Sequence, residues 1–269
     1  MNLHASSTAG VGELVREWRQ RRRMSQLELA GVADISARHL SFVETGRASP
    51  SRSMLIRLAE RLDVPLRARN QMLHAAGYAA LYAERPLDAP EMTAARQTVE
   101  AVLTAHMPFP ALAVDRHWQL VAANEAVGAL LAGIDAELLA PPLNVLRLSL
   151  HPRGLAPRIA NLGQWRAHLL ERLQQQVDRS GDRRLVALHA ELVELSPPGP
   201  HDLHDHAAPE PGAVAVPLRL RVDDDEPLAF LSTTTVFGTP VDVTLSELAL
   251  ECFYPADDRT RRHLQGARG

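Results

Sequence analysis

Side chains with the chemistry of nucleic-acid recognition gather at the start of one candidate helix. The set on its polar face comprises Ser36, Ala37, Arg38 and Ser41. Leu40 and Val43 stand three apart, so the opposite face of this helix is apolar and faces a core. Side chains at the N-terminal end of such a helix suit hydrogen bonding to base edges in a major groove. Arg47 and Arg52 flank the next turn, where arginine favours phosphate.

Three short elements would position these side chains. Ser25 and Glu28 have the spacing of a capping box, which predicts that a first helix begins there. The stretch 31–35 is typical of a turn, and it leads directly into the polar-faced helix. A third amphipathic helix follows, with Ser51 or Ser53 at its N-cap and apolar residues at helical spacing.

The stretch 24–65, with SQLELA, a turn, SARHLSFVETGR and PSR, resembles the XRE (lambda-repressor-like) helix-turn-helix family and, within it, the MmyB-like branch. The resemblance implies a DNA-binding domain. It implies that Gln26 touches phosphate and that Arg47 and Arg52 hold the DNA backbone. The residues that it places toward the groove are Ser36, Ala37, Arg38, Ser41 and Phe42.

Four residues of this region carry further expectations. The resemblance implies an ion pair, inside the domain, between Arg19 of the first helix and Glu44 near the end of the recognition helix. Phe42 either stacks on a thymine methyl group or packs beneath its helix, and the sequence leaves both open. We expect His39 to contact phosphate or to lie in solvent. The alternative for the whole region is a small helical domain with arginines outside, because an isolated helix-turn-helix pattern is a weak signal.

Charge is distributed unevenly along the 269 residues. Residues 1–70 hold twelve arginines and seven acidic side chains, a balance of +5, whereas the whole chain carries −3. A basic segment of this kind displaces counterions from phosphate, which favours double-stranded DNA as the partner. Because one helix-turn-helix reads only a few base pairs, we expect a homodimer on a palindromic operator.

The composition disfavours several classes of protein. No run approaches the roughly 18 to 20 apolar residues of a membrane span, and the N-terminus lacks the features of a signal peptide, so we expect a cytoplasmic protein with no membrane partner. The single cysteine, Cys252, excludes an internal disulfide and a multi-cysteine metal site. No G-x-S-x-G, P-loop, G-x-G-x-x-G or H-E-x-x-H motif occurs, so we expect no enzyme.

The hydrophobic pattern changes in the second half of the chain. Two short apolar runs, 111–114 and 118–123, predict a hairpin, which resembles the opening of a PAS-like sensor domain. Two long amphipathic helices are predicted at 156–176 and 182–195. Later come two strand-like runs, GAVAVPLRLRV and PLAFLSTTTVFG, and a segment that we expect to form a short helix, LSELALECFYPAD.

The expected fold class is mainly α plus α+β. We predict a disordered tail at 1–9, a five-helix lambda-repressor-like helix-turn-helix domain at 10–80, a linker and connecting helix at 81–106, a PAS-like antiparallel sheet with helices at 107–257, and a tail at 258–269. The apolar face of the connecting helix, with Val99 and Leu103, docks on the second domain or on a partner subunit. We favour docking on the second domain.

The resemblance to MmyB-like proteins continues through NVLRLSLHPRG and IANLGQW. It implies a ligand-binding second domain, with a fatty acid or related acyl molecule as ligand and no other cofactor. We expect an apolar pocket between sheet and helices, with Trp165 beside it and a polar end formed by one or more of Arg147, His151 and Asn161. The alternatives are a fully packed core, with Arg147 bridging a surface acid, and a second domain that serves only dimerisation or a protein partner.

A histidine-rich loop is the remaining candidate for metal chemistry. His201, His204 and His206, with Asp202 and Asp205, have the composition of a metal site. They lie in a proline-rich stretch with no scaffold to orient the imidazole rings. We therefore favour a solvated loop and predict no metal.

Overall fold

The structure is a computed structural model and describes residues 10–195, 215–222 and 226–266. The chain divides into two compact units, the first built from residues up to Arg85 and the second from most of the remaining chain. The tail expected at residues 1–9 and the histidine-rich loop at 201–206 lie outside the described residues.

Five helices make up the first unit, as the sequence predicts. They are α1 (Val11–Arg21), α2 (Gln26–Val32), α3 (Ala37–Glu44), α4 (Arg52–Arg61) and α5 (Leu66–Ala75). The three middle helices begin at serine caps, because Ser25, Ser36 and Ser51 each accept a hydrogen bond from the backbone N–H three residues on, at 3.1 to 3.2 Å. Glu28 completes the capping box by accepting from the Ser25 N–H at 2.7 Å.

The apolar faces of the five helices meet in one core. Its buried members include Val15, Trp18, Leu29, Leu40, Leu58 and Leu73. Gly12 of α1 sits directly against α3, since a Cβ added at this position would lie 2.2 Å from the carbonyl oxygen of Val43. This close approach fixes α1 beside the C-terminal end of the recognition helix.

The first unit extends beyond its fifth helix. The side chain of Asn70 accepts hydrogen bonds from the N–H groups of Leu81 and Tyr82 at 3.0 and 3.1 Å, and donates to the Tyr82 carbonyl at 2.7 Å. The stretch 81–82, which was predicted to belong to a linker, is therefore held on α5.

Both helices and strands follow Arg85 in the chain. The helices are α6 (Thr93–Ala105), α7 (Glu125–Leu130), α8 (Ala136–Leu139), α9 (Val145–Leu150), α10 (Leu162–Ser180), α11 (Arg183–Leu195), α12 (Val243–Ser246) and α13 (Asp258–Gly266), with 3-10 turns at Pro90–Met92 and Ala156–Arg158. The strands are β1 (Ala111–Val114), β2 (Leu120–Ala123), β3 (Leu218–Leu220), β4 (Leu228–Val236) and β5 (Ala249–Pro255).

The five strands form one antiparallel sheet in the order β2-β1-β5-β4-β3. Both faces of its centre are covered, which explains why every residue of β1 is buried. On one face Leu112 and Phe230 pack against leucines of α9, α10 and α11. On the other face Ala111 and Ala113 pack against Val99 and Leu103 of α6. The connecting helix is thus docked on the sheet of its own second unit, as we favoured.

Two expectations for the C-terminal segment are wrong. The stretch expected to be a short helix from residue 245 forms the central strand β5, preceded by α12. Strand alternation accounts for this, because Leu250 and Cys252 pack on the α6 side while Glu251 and Phe253 face the other way. The expected tail at 258–269 is instead helical over Asp258–Gly266. Thr260 anchors that helix by accepting a hydrogen bond from the N–H of Ala229 at 2.9 Å.

No helix within the described ranges is long and apolar enough to cross a membrane.

Candidate DNA interface and ligand cavity

The N-terminal half of α3 forms an exposed polar surface. Ser36 uses its hydroxyl as the helix cap, and Arg38 is exposed with its guanidinium carbon 5.4 Å from the centre of the Phe42 ring. Phe42 is half-buried and is absent from the apolar core of the first unit. Stacking on a thymine methyl group and packing beneath the helix therefore both stay predictions for this ring.

The two arginines that are expected to contact phosphate follow α3 closely in the sequence, and both are open to solvent. Arg47 and Arg52 are exposed, and Arg52 is the first residue of α4. Gln26 differs, because its amide nitrogen donates to a Glu44 carboxylate oxygen at 2.8 Å. A phosphate contact by this nitrogen would have to share that hydrogen bond.

Arg19 and Glu44 form the ion pair implied by the resemblance. The Arg19 Nε and Nη2 groups donate to the two Glu44 carboxylate oxygens at 2.7 and 2.8 Å, and Nη1 donates to the Met24 carbonyl at 2.9 Å. Side-chain exposure is 11% for Arg19 and 2% for Glu44, so this pair is withdrawn from water. It ties α1 to the end of the recognition helix in a single bidentate geometry.

The surroundings of Glu44 lower its pKa. Burial by itself raises the pKa of a carboxyl group, but the hydrogen bonds from Arg19 and Gln26 and the charges of Arg19 and Arg16 outweigh burial, so the pKa of Glu44 lies below its ordinary value. The hydrogen bond to Glu44 in turn raises the pKa of Arg19. Both side chains are therefore charged at neutral pH.

An apolar cavity of about 110 Å³ lies in the second unit, between the sheet and the helices. Its walls include Leu112, Trp118, Leu146, Trp165, Leu169 and Phe230. Trp118 adopts a left-handed backbone conformation, with φ at 65°, that is costly for a bulky residue. Its indole N–H donates to the side chain of Gln176 at 2.8 Å, which holds the ring at the cavity wall.

The polar lining of the cavity comes from Ser149, Arg172, Ser232 and Glu251. Arg172 donates from Nη1 and Nη2 to the two oxygens of Glu251 at 3.0 and 2.5 Å. Its guanidinium carbon also lies 4.7 Å from the centre of the Trp118 ring. His168 is close in sequence, and burial, followed by the positive charge of Arg172, lowers its pKa, so this imidazole is neutral at neutral pH.

Comparison with known families identifies both units. Residues 95–266 match the MmyB-like transcription regulator ligand binding domain, and residues 15–68 match a helix-turn-helix family. The chain belongs to the MmyB-like transcription regulators. This confirms the resemblance stated from the sequence, and it makes the chain a DNA-binding transcription regulator with a ligand-binding second domain. No curated protein matches the chain significantly.

Three residues expected at the polar end of the pocket of this MmyB-like regulator do not line the cavity. Arg147 is bound to Glu191, with Nε and Nη2 donating at 2.5 and 2.8 Å, which is the surface bridge considered as the alternative. Asn161 joins α10 to β3, because it donates to the Pro217 carbonyl and accepts from a backbone N–H. His151 accepts from the backbone N–H of Arg153 at 3.0 Å.

Trp165 lies beside the cavity of the MmyB-like domain, as predicted, whereas the polar residues of the lining were not predicted. Arg172 and Glu251 are far apart in sequence, and Glu251 lies in a segment expected to be helical. One signal for Glu251 was present in the sequence. An acidic residue between the apolar residues Leu250 and Cys252 is unusual in a buried position at the centre of a sheet. Its partner, Arg172, follows only from the packing of α10 on β5.

Proposed function

We propose that this MmyB-like regulator binds a palindromic operator as a homodimer, and that an acyl or fatty-acid-like molecule in the second unit controls that binding. The cavity carries the proposal. Its walls are leucines and aromatic rings, which suit an alkyl chain, and its volume of about 110 Å³ is several times what one water molecule needs. The polar side chains of its lining would orient the head group of such a molecule.

Strand β1 offers a route from the cavity to the connecting helix. Leu112 lines the cavity, whereas its neighbours Ala111 and Ala113 pack against α6 on the opposite face of the sheet. A ligand that displaces Leu112 would therefore shift the surface on which α6 rests. We propose that two positions of α6 differ in ligand affinity, because a ligand shifts an equilibrium only through such a difference.

In the first unit, we propose that α3 reads the major groove. The groove-facing residues would be Ser36, Ala37, Arg38, Ser41 and Phe42. Gln26, His39, Arg47 and Arg52 would contact phosphate, which supplies affinity and register but little sequence preference. The exposed positions of Arg38, Arg47 and Arg52 support these roles.

The test begins with the full-length protein as purified. Native mass spectrometry should show an added mass, and addition of octanoyl compounds should raise the melting temperature, because binding at 100 times Kd stabilises the folded state by about 2.7 kcal/mol. Fluorescence anisotropy with an operator selected from random DNA should then show that the same compounds change operator affinity.

Two matched variants on β4 test whether the ligand-induced shift in melting temperature arises in the cavity. Ser232→Phe places a large ring at the cavity wall and should abolish the ligand-induced shift, whereas Thr235→Phe alters an exposed residue of the same strand and should preserve it. If no acyl compound stabilises the protein, the second domain serves dimerisation or a protein partner instead.

A further inference from the structure

The polar part of the cavity lining holds one positive and one negative charge that are already paired. Both oxygens of Glu251 accept from Arg172, and Thr234 joins them by accepting from Nη2 of Arg172 at 2.5 Å and donating to a Glu251 oxygen at 3.0 Å. The pair has no net charge. Any polar group that enters the cavity meets this closed arrangement rather than a free cation.

The arginine has little left to offer a ligand carboxylate. Its two terminal nitrogens bind Glu251 and Thr234, and its plane lies near the ring of Trp118. An arginine recognises a carboxylate best through two parallel N–H donors, and Glu251 already uses those donors. A fatty-acid carboxylate could form this two-donor contact only by displacing Glu251, whose residue exposure is only 4%.

Displacement of Glu251 is strongly disfavoured. Glu251 stands on β5, in the middle of the sheet, so its backbone is held by strands on both sides. Separated from Arg172, its carboxylate would be buried without a partner, and a second carboxylate beside it would add like-charge repulsion. His168 supplies no compensating charge, because it is neutral at neutral pH.

The two serines of the lining provide what a neutral head group needs. The Ser149 hydroxyl oxygen accepts from the indole N–H of Trp165 at 3.1 Å, which leaves its own hydrogen to donate elsewhere. Ser232, on β4, adds a second hydroxyl to the same lining. A hydroxyl donor of this kind suits a carbonyl, ether or alcohol oxygen without requiring a charge.

We propose that the cavity selects medium-chain compounds with an uncharged oxygen head group, such as esters, aldehydes or alcohols, over free carboxylates. This inference rests on the proposed function, since it concerns the head group of the acyl ligand. A neutral ligand keeps the pair of Arg172 and Glu251 intact. It places an oxygen at the hydroxyl of Ser149 and its alkyl chain along the leucines and aromatic rings.

The test compares three probes of equal chain length on the full-length protein: methyl octanoate, octanol and octanoate, the last being ionised at about pH 7.5. Trp118 and Trp165 line the cavity, so a change in tryptophan fluorescence reports occupancy. We expect the ester and the alcohol to bind at least about tenfold more tightly than octanoate, a difference of about 1.4 kcal/mol.

The variant Glu251→Gln should reverse this preference, because it removes the negative charge and frees Arg172 to pair with octanoate. We expect octanoate affinity to rise at least about tenfold in Glu251→Gln relative to the ester. Glu191→Gln is the matched control, since it breaks the surface bridge to Arg147 outside the cavity, and it should leave the preference unchanged.

If Glu251→Gln does not fold, the ratio of ester affinity to octanoate affinity in the wild-type protein still tests the inference. Ser149→Ala is then the second variant, and it should weaken the ester more than the hydrocarbon octane, which has no oxygen to bind. Octanoate binding as tightly as the ester to the wild-type protein would overturn the inference while leaving the acyl-ligand function in place. If none of the three probes binds, both the inference and the proposed function fail.

Discussion

The side chain of Glu44 links the recognition helix α3 to both α1 and α2. It accepts hydrogen bonds from Arg19 of α1 and from Gln26 at the start of α2, while it stands as the last residue of the recognition helix. The orientation of α3 therefore depends on a buried charge that is fully paired. Removing the charge of Glu44 leaves the buried charge of Arg19 without its partner, which strongly destabilises a folded protein.

Glu44→Gln should consequently destabilise the protein by about 3 to 5 kcal/mol at neutral pH. Because the folded pKa of Glu44 lies below its unfolded value, the stabilisation is complete above about pH 4.3 and is lost as pH falls through the lower folded value. Urea denaturation from pH 7 to pH 3 should show that the difference in free energy of unfolding between wild type and variant becomes smaller at acid pH. Glu60→Gln, at an exposed position, is the control, and a constant difference would contradict the prediction.

Arg38 and Arg52 should respond differently to the same substitution. Arg38→Ala should cost about 1 to 3 kcal/mol and relax base preference at one operator position. Arg52→Ala should weaken all sequences alike and reduce the slope of log affinity against log salt by about one. Binding to a panel of single-base operator variants at several salt concentrations separates the two. A uniform loss for Arg38→Ala would make it a phosphate contact.

At the scale of elements, the contact between α1 and α3 has no spare room. A methyl group at Gly12 would meet the Val43 carbonyl oxygen at 2.2 Å and the Glu44 carbonyl oxygen at 3.0 Å, and both atoms belong to backbone that cannot rotate away. Gly31 of α2 is the contrasting case, because nothing lies within 4 Å of its added Cβ.

We therefore predict that Gly12→Ala destabilises the protein by about 1 to 3 kcal/mol, as overpacking does. Gly31→Ala should stabilise it by about 0.5 to 1 kcal/mol, since alanine favours helix over glycine. Thermal unfolding followed by circular dichroism measures both variants. Equal effects of the two substitutions would show that α1 can move away from α3.

At the scale of the whole molecule, the charge asymmetry and the single reading helix favour a paired protein on DNA. Residues 1–70 carry +5 in a chain of −3, so affinity for phosphate is concentrated in the first unit. Two copies of this unit would read two half-sites about one helical turn apart.

Sedimentation velocity should accordingly show a dimer of the 29.5 kDa chain on a palindromic operator. An operator with its half-sites moved apart by about half a turn should lose affinity, because the second recognition helix would face the wrong side of the duplex. A monomer at micromolar concentration, with and without DNA, would contradict the proposed assembly.

Local rules in the sequence were enough to define the first unit. Capping by Ser25, Ser36 and Ser51 and the helical spacing of the core residues act over three or four positions, so these signals can be read without knowledge of the fold. The same holds for α10 and α11, whose apolar stripes are long. The resemblance to a known family added the pair of Arg19 and Glu44, which spacing does not reveal.

Only the tertiary structure decided the centre of the second unit. The segment 249–255 contains leucine, alanine and glutamate, which favour helix locally, yet pairing with β1 and β4 makes it the middle strand. That pairing turns Glu251 toward α10, where it meets Arg172 across 79 positions of sequence. Contacts at such separations depend on how the elements pack, so the sequence pointed to Arg147 whereas the fold places Arg172 at the cavity.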